Sequence, residues 1–209
     1  MMAAVGRWQP NARGRLEQAA LQLYRVRGFD QTTVADIARC AGLTERTFFR
    51  YFADKREVLF WGAAALQERI VSTVASTPAD VAPIDAVARG LEAGAALLEE
   101  RRDHARQRQA IVAANAELRE RELIKLATLA SAVADALRSR GLGEPAASLT
   151  AEVGIAAFRV AFERWIAETN PHHLAQVIRA ALDELQAAIT SPHNGDSRRR
   201  RRRPARAAS

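Results

Sequence analysis

Apolar residues recur every three to four positions along most of this chain, which is the spacing of a helix with one buried face. Alternation of apolar and polar residues, which is typical of a half-buried strand, never persists for more than a few positions. Glycine and proline separate the periodic stretches and mark helix ends. The longer predicted helices cover residues 11–28, 54–75, 84–101, 103–113, 116–140, 146–168 and 172–189. The pattern therefore predicts an all-α fold.

Two shorter helices are predicted between residues 33 and 52. Thr33 and Thr44 stand where a side-chain oxygen can cap the first turn of a helix. Between them, Ala38 is small enough for two helices to cross closely, and Gly42 can adopt the left-handed conformation of a sharp turn. This spacing predicts a helix-turn-helix whose second helix, residues 44–52, enters the major groove of DNA.

Polar side chains on this second helix are candidates for DNA contacts. Arg46 and Arg50 lie one helical turn apart, and arginine is the usual reader of the O6 and N7 atoms of guanine. The alternative is that both arginines are simply solvated. Candidate phosphate contacts come from the hydroxyl and ammonium groups of Thr33, Thr44, Thr47, Tyr51 and Lys55.

These residues resemble the DNA-binding region of the TetR family of bacterial transcription regulators. The matching positions are 33–34, 37–38, 41–44, 47–52 and Lys55. Phe49 departs from the pattern, because the family usually has tyrosine there. Without a hydroxyl, Phe49 cannot donate a hydrogen bond to a phosphate, so no DNA contact is assigned to it. Packing against the sugar-phosphate backbone and packing in the domain core both remain open.

The resemblance implies a ligand-responsive repressor rather than an enzyme. Members of the family are all-helical homodimers, in which three N-terminal helices bind DNA and the later helices enclose a ligand pocket and pair with the partner. The implied organisation is a flexible N-terminus (1–11), a helix-turn-helix domain (12–55), an effector-binding and dimerisation domain (56–190) and a disordered tail (191–209). We expect a cytoplasmic, nucleoid-associated dimer that binds a pseudo-palindromic operator and is released by a small, largely apolar effector.

Candidate effector and dimer residues are less specific. Phe158, Phe162 and Trp165 share one helix face, and the alternative is that they are ordinary core aromatics. Residues 46–52 and 158–165 are similar to a subgroup that senses acyl-CoA-like ligands, for which the candidate polar contacts are Arg102, Asn115 and Arg159. The resemblance places the dimer interface on the last two helices, and the alternative is that the last one is a core helix of the chain itself. Its apolar stripe contains Leu174, Val177, Ile178, Ala181 and Leu185.

Charge is distributed unevenly along the chain. Residues 1–60 have ten Lys and Arg against six Asp and Glu, residues 61–190 have fourteen against seventeen, and residues 191–209 have seven against one. A basic front and a basic tail favour a polyanionic partner such as DNA. They also leave a second function open, that of an effector-independent architectural DNA-binding protein. The sequence shows no catalytic constellation and predicts no metal, no cofactor and no membrane partner.

Overall fold

The computed structural model describes residues 11–167 and 171–190, which form nine α-helices and one turn of 3₁₀ helix, Glu57–Leu59, without any strand. The predicted all-α fold is confirmed. The expected flexible N-terminus and disordered tail lie outside the described residues, apart from Asn11. None of the helices in the described ranges is long and apolar enough to cross a membrane. The helices are α1 (Ala12–Arg27), α2 (Val34–Cys40), α3 (Glu45–Tyr51), α4 (Ala63–Ser76), α5 (Pro83–Glu99), α6 (Arg102–Ala114), α7 (Ala116–Ser139), α8 (Ala146–Ile166) and α9 (Leu174–Thr190).

The predicted helix over 54–75 is divided into two elements. The 3₁₀ turn comes first, and α4 begins only at Ala63. Val58, Leu59 and Phe60 are all buried although they are consecutive. Side chains on a regular α-helix are about 100° apart, so three consecutive ones cannot all face a single core. A continuous α-helix would therefore not suit this segment, and the chain instead turns at residues 60–62 before α4 begins.

Two hydrophobic clusters form the interior. The first joins α1, α2 and α3 to residues 58–60, and it also contains Val112 of α6 and Leu118 of α7. The second is built from α4, α5, α7, α8 and α9, with Ala105 of α6. The junction between α6 and α7 therefore packs against the N-terminal helices, which gives the two clusters a shared border.

Close helix crossings in the second cluster depend on glycine. A Cβ atom at Gly90 of α5 would lie 2.6 Å from Val74 Cγ2 and 2.9 Å from the carbonyl oxygen of Ile70, both on α4. A Cβ atom at Gly154 of α8 would lie 2.4 Å from Val87 Cγ1 on α5. Any larger residue would force these helices apart.

The apolar stripe of α9 faces the interior of its own chain. Leu174 and Ile178 are fully buried, Val177 and Ala181 are buried, and Leu185 is half-buried. The helix packs against α5 and α8, and Arg179 fixes it by donating to Glu92 of α5 at 2.8 Å. The burial of these four residues within their own chain favours the alternative of a core helix over a dimer interface on this stripe. Periodicity shows that a helix has a buried face but does not say which chain covers it.

Candidate nucleic-acid interface

Helix α1 is capped at both ends, by a side chain at its N-terminus and by a glycine at its C-terminus. The side chain of Asn11 accepts a hydrogen bond from the backbone N–H of Gly14 at 3.1 Å. At the other end, Gly28 has a φ of 83° and its N–H donates to the carbonyl of Tyr24 at 3.0 Å. Leu16 and Ala20 are fully buried. Helix α1 is therefore a fixed support for the two short helices that follow.

Helix α2 and the turn after it follow the predicted pattern. The Thr33 hydroxyl accepts from the backbone N–H of Asp36 at 3.1 Å, while the Asp36 carboxylate accepts from the N–H of Thr33 at 3.2 Å, which is a reciprocal capping box. Gly42 has a φ of 63°, in the left-handed region that favours glycine. The N–H of Leu43 then donates to the carbonyl of Ala38 at 2.8 Å and closes the turn.

Helix α3 is anchored by one face and exposed on the other. Thr44 caps it by accepting from the N–H of Thr47 at 3.2 Å. Phe48 is fully buried and Phe52, just after the helix, is 3% exposed, so these two rings hold α3 against α1 and α2. The solvent-exposed residues of α3 are Glu45, Arg46, Phe49 and Arg50. We call this set the outer face of α3.

The two predicted base readers both lie on the outer face of α3. Arg46 makes no ion pair or side-chain hydrogen bond with the described residues, so its guanidinium is available. The guanidinium of Arg50 lies 4.9 Å from the ring centre of Tyr51 and donates to its hydroxyl at 3.2 Å. Phe49 is also on this face and is 55% exposed, which excludes the possibility that it packs in the domain core.

Lys55 has a structural role in this arrangement. Its ammonium donates to the carbonyls of Phe29 at 2.8 Å and Thr32 at 3.0 Å, and it lies 4.3 Å from the ring centre of Phe29. Its own carbonyl accepts from the hydroxyl of Tyr24 at 2.7 Å. Burial raises the pKa of the Tyr24 phenol, and the nearby Asp54 carboxylate adds to that shift. Lys55 therefore ties the loop between α1 and α2 to the end of the domain.

The predicted hydroxyl donors are engaged in local hydrogen bonds. The Thr33 hydroxyl donates to Asp36 Oδ2 at 2.6 Å, and the hydroxyls of Thr44 and Thr47 lie 3.0 Å apart. Thr33 and Thr44 are exposed, whereas Thr47 is half-buried. The hydroxyls of Thr33 and Thr44 would therefore have to bind a phosphate while they also cap their helices.

A ladder of alternating guanidinium and aromatic groups runs from α3 towards the larger domain. Beyond Arg50 and Tyr51, the guanidinium of Arg13 lies 5.6 Å from the Tyr51 ring centre and 5.3 Å from that of Trp61. Arg101, at the start of α6, lies 5.6 Å from the Trp61 ring centre. Sequence reasoning missed this ladder because its members are up to 88 positions apart, between 13 and 101, and no periodicity links them.

The ladder ends at a buried carboxylate. Glu17 of α1 accepts from Arg101 at 2.8 Å, and its other oxygen lies 2.6 Å from His104 Nε2. Burial alone would raise the pKa of Glu17, but the polar groups of His104, Trp61 and Arg101 beside the carboxylate outweigh it and hold that pKa below its usual range. The carboxylate is therefore charged at neutral pH, and it connects the DNA-binding helices to α6.

A second set of polar contacts joins the two domains near α7. Arg121 donates to Glu57 at 2.9 Å, and Arg108 donates to the carbonyl of Leu59 at 2.8 Å. Asn115 caps α7 by accepting from the N–H of Leu118 at 3.2 Å, and its amide lies 3.4 Å from Asp30 Oδ1. The side chain of Asn115 thus serves the α6–α7 junction, and its role as an effector contact stays a prediction.

The other predicted effector residues divide between core and surface. Trp165 is fully buried, Phe158 is 6% exposed and Phe162 is half-buried against them. Arg159 is solvent-exposed, and its assignment to a pocket stays a prediction. Arg102 donates to the carbonyl of Ala167 at 2.9 Å and lies 5.5 Å from the Trp165 ring centre. Phe158 and Trp165 are thus core aromatics in this conformation.

Concave surfaces lie at the domain border. A groove of about 700 Å³ between α1 and α6 is lined by Arg13, Glu17, Trp61, Arg101 and His104, among others. A smaller one of about 460 Å³ covers residues 99–104. Both grooves are adjacent to the contacts that join the two domains.

A capped helix-turn-helix with an arginine-bearing outer face, attached to a larger helical domain, defines the class of helix-turn-helix transcription regulators. A family model described as bacterial regulatory proteins of the tetR family matches residues 17–60. A second model, the MftR C-terminal domain, matches residues 81–190, which is more than half of the chain. The chain belongs to the TetR family of DNA-binding transcription regulators, which are not enzymes.

Two curated regulators match part of the chain. It is 35% identical over 81 residues to the regulator TcmR of Streptomyces glaucescens, and this covers 39% of the chain and 36% of TcmR. It is 40% identical over 58 residues to MftR of Mycobacterium tuberculosis, named as a mycofactocin biosynthesis transcriptional regulator, and this covers 28% of the chain and 29% of MftR. The matched segments span only about a third of each relative.

Solved structures share the fold over nearly the whole chain. FadR of Thermus thermophilus, in complex with lauroyl-CoA, is 23% identical with a TM-score of 0.55, and the match covers 94% of this chain and all of FadR. The complex of SmeT with triclosan is 19% identical with a TM-score of 0.61, and the match covers 85% of this chain and 90% of SmeT, a repressor from Stenotrophomonas maltophilia. At these identities the likeness concerns the fold.

Proposed function

We propose that this protein is a dimeric repressor that reads a pseudo-palindromic operator with the outer face of α3. The observation that carries the proposal is the exposure of Arg46 and Arg50 on a helix whose opposite side is locked by Phe48 and Phe52. A rigid helix with solvent-exposed guanidinium groups suits bidentate contacts to guanine. Thr44 and Tyr51 are proposed phosphate contacts. We leave Lys55 out of the proposed set, because its ammonium is held by backbone carbonyls.

The first test replaces each arginine of the outer face of α3 by alanine. Arg46→Ala and Arg50→Ala are each expected to lose about 1–3 kcal/mol of discrimination at the base pair concerned, because one bidentate contact disappears. The measurement is affinity for an operator selected from random DNA and for a scrambled duplex at the same salt concentration. Arg89→Ala is the matched control, since it removes an equal charge from the exposed side of α5. Unchanged sequence preference in both α3 variants would argue against base reading by this helix.

The proposed dimer uses the solvent side of α8 rather than the stripe of α9. Leu149 and Val160 are 62% and 42% exposed, and Val153 and Ala156 lie between them. The four positions are separated by four, three and four residues, so they form one apolar stripe on the outside of the helix. We call Leu149, Val153, Ala156 and Val160 the outer stripe of α8. Pairing this stripe with its copy would bury it and place two α3 helices on one operator.

An effector-controlled release of DNA is the second part of the proposal. The family typically responds to ligands, and the FadR and SmeT structures of the same fold are complexes with lauroyl-CoA and triclosan. In this chain the indole N–H of the buried Trp165 has no acceptor among the described residues. A buried donor without a partner is costly, so a carbonyl oxygen of an apolar effector would gain from reaching it. Entry of an effector would displace Phe158 and Phe162 and shift α6, which contacts α8.

Such a shift reaches the DNA-binding helices through α6. Arg101 and His104 hold Glu17 of α1, and the ladder through Trp61 and Arg13 continues to Tyr51 beside α3. A ligand can weaken DNA binding only if it prefers the conformation in which these contacts are displaced.

The packed interior of α4–α9 favours a second candidate function, that of an effector-independent architectural DNA-binding protein.

Lauroyl-CoA is a probe that separates these two functions. Added to the protein–operator complex, it is expected to weaken operator affinity between about 5-fold and 150-fold, the usual range of coupling between two sites. Coenzyme A alone is the control, because it lacks the apolar chain. Fluorescence anisotropy of labelled operator gives the affinity. Equal operator affinity with and without lauroyl-CoA would contradict an acyl-CoA-like effector, and equal affinity with triclosan as well would support the architectural function.

A further inference from the structure

Phe49 is the exception among the phenylalanines of the N-terminal domain. Phe29, Phe48, Phe52 and Phe60 are all at most 6% exposed, whereas Phe49 is 55% exposed. A fixed apolar ring in water carries an unfavourable hydration free energy that burial against a partner would remove. The position of this ring on the outer face of α3 therefore raises the question of what covers it.

The ring is held in a defined orientation. Its centroid lies 5.5 Å from that of the buried Phe48, with an angle of 83° between the two planes, which is an edge-to-face contact. Arg46 comes three positions before it and Arg50 directly after it, and both share its exposed face. A surface that meets the base edges through these two arginines consequently meets Phe49 as well.

The chemistry of the ring limits what it can recognise on DNA. Phenylalanine has no hydrogen-bond donor or acceptor, so it cannot bind a phosphate oxygen or the polar edge of a base. The apolar group that a base pair presents in the major groove is the C5-methyl of thymine. We propose that Phe49 determines sequence preference by packing on a thymine methyl group in each operator half-site. This inference depends on the proposed function, in that α3 must enter the major groove.

The proposal predicts a specific dependence on one methyl group. Removal of a buried methyl costs roughly a fourfold loss of affinity, and removal from both half-sites of a dimer's operator costs about sixteenfold. Loss of the ring should remove this dependence, because the methyl group then has nothing to pack against. If Phe49 instead contacted the sugar-phosphate backbone, loss of its ring would lower affinity equally for every operator sequence.

The experiment uses the full-length protein and an operator selected from random duplexes by the wild-type protein. Each thymine is replaced in turn by deoxyuridine, which removes the C5-methyl and leaves the base-pairing edge unchanged. One thymine in each half-site is expected to show the fourfold loss with wild-type protein. With Phe49→Ala the same replacement is expected to have no effect, while Leu97→Ala, which shortens another exposed apolar side chain on α5, behaves as wild type.

The possible outcomes are distinct. Wild-type protein that binds every deoxyuridine duplex as tightly as the parent operator would overturn the proposal, as would a methyl dependence that persists in Phe49→Ala. In either case, loss of sequence preference in Arg46→Ala and Arg50→Ala would leave the proposed repressor function standing. If those two arginine variants keep full preference, the proposed function itself fails. Thermal unfolding is the control for folding. Phe49→Ala should still unfold cooperatively, because the ring that it removes lies at the surface.

Discussion

Alanine in place of Phe48 is expected to lower the free energy of unfolding of the N-terminal domain by about 3–5 kcal/mol. Phe48 is fully buried and contacts Phe52, with 5.4 Å between the ring centroids. The substitution would leave a cavity beneath α3, whose seven residues are too few to form a stable helix without tertiary packing. Operator binding should be lost together with the native position of α3. Urea unfolding monitored by circular dichroism and anisotropy with labelled operator measure the two effects.

The neighbouring phenylalanine provides the matched control for this experiment. Phe49→Ala removes the same atoms from the same helix, but from a side chain that is 55% exposed. Its free energy of unfolding should fall by only about 0.5–1.5 kcal/mol, the contribution of its edge-to-face contact with Phe48. Equal destabilisation by the two substitutions would mean that α3 is not anchored on the side that the structure shows.

Aspartate at Ile178 is expected to destabilise the larger domain by about 3–5 kcal/mol, because it places a carboxylate without a partner in the interior. Ile178 is fully buried and belongs to the cluster that α9 forms with α5 and α8. Unfolding of this domain should therefore occur at much lower denaturant concentration, and the remaining protein should show reduced helix content. Far-ultraviolet circular dichroism across a urea series is the measurement.

Val160→Asp introduces the same carboxylate on the outer stripe of α8. Because Val160 is 42% exposed within one chain, the stability of the monomer should be nearly unchanged. In a symmetric dimer, however, the substitution occurs twice across the same interface, so the two copies should separate. Sedimentation analysis distinguishes the two species, and operator affinity should fall with the loss of the dimer. A Val160→Asp protein that stays dimeric would exclude the outer stripe of α8 as the dimer interface. For the Ile178→Asp protein, native stability would contradict the inward placement of α9.

Local sequence was sufficient to predict the caps and the turn of the DNA-binding helices. The caps at Thr33 and Thr44 and the left-handed turn at Gly42 all involve residues no more than five positions apart in their hydrogen bonds. Such short-range contacts are determined by residue type and spacing, so a single sequence is enough to predict them. The exposure of Arg46 and Arg50 on one side of α3 follows from helical periodicity in the same way.

Long-range contacts decide which groups cover an apolar face or hold a polar side chain, and periodicity did not predict these partners. The α9 stripe is amphipathic as predicted, but its partner is the chain's own α5 and α8. Asn115 and Lys55 have the polar groups expected of binding residues, yet both are held by groups more than 20 positions away, at Asp30 and at the carbonyls of residues 29–32. A sequence pattern does not reveal such partners, because the distance along the chain between them carries no periodic signal.

The sequence by itself determined the helical class of this protein, the boundaries of most helices and the side of α3 that faces solvent, because these depend on neighbours within a turn or two. Only the tertiary structure decided which apolar faces are covered within the chain, as for α9, and which remain open, as for Phe49 and the outer stripe of α8. It also placed Glu17 against Arg101 and His104, across 84 positions or more. The physical reason is that burial and ion pairing depend on where whole helices cross, and those crossings are set by packing volume, as at Gly90 and Gly154, rather than by any local preference.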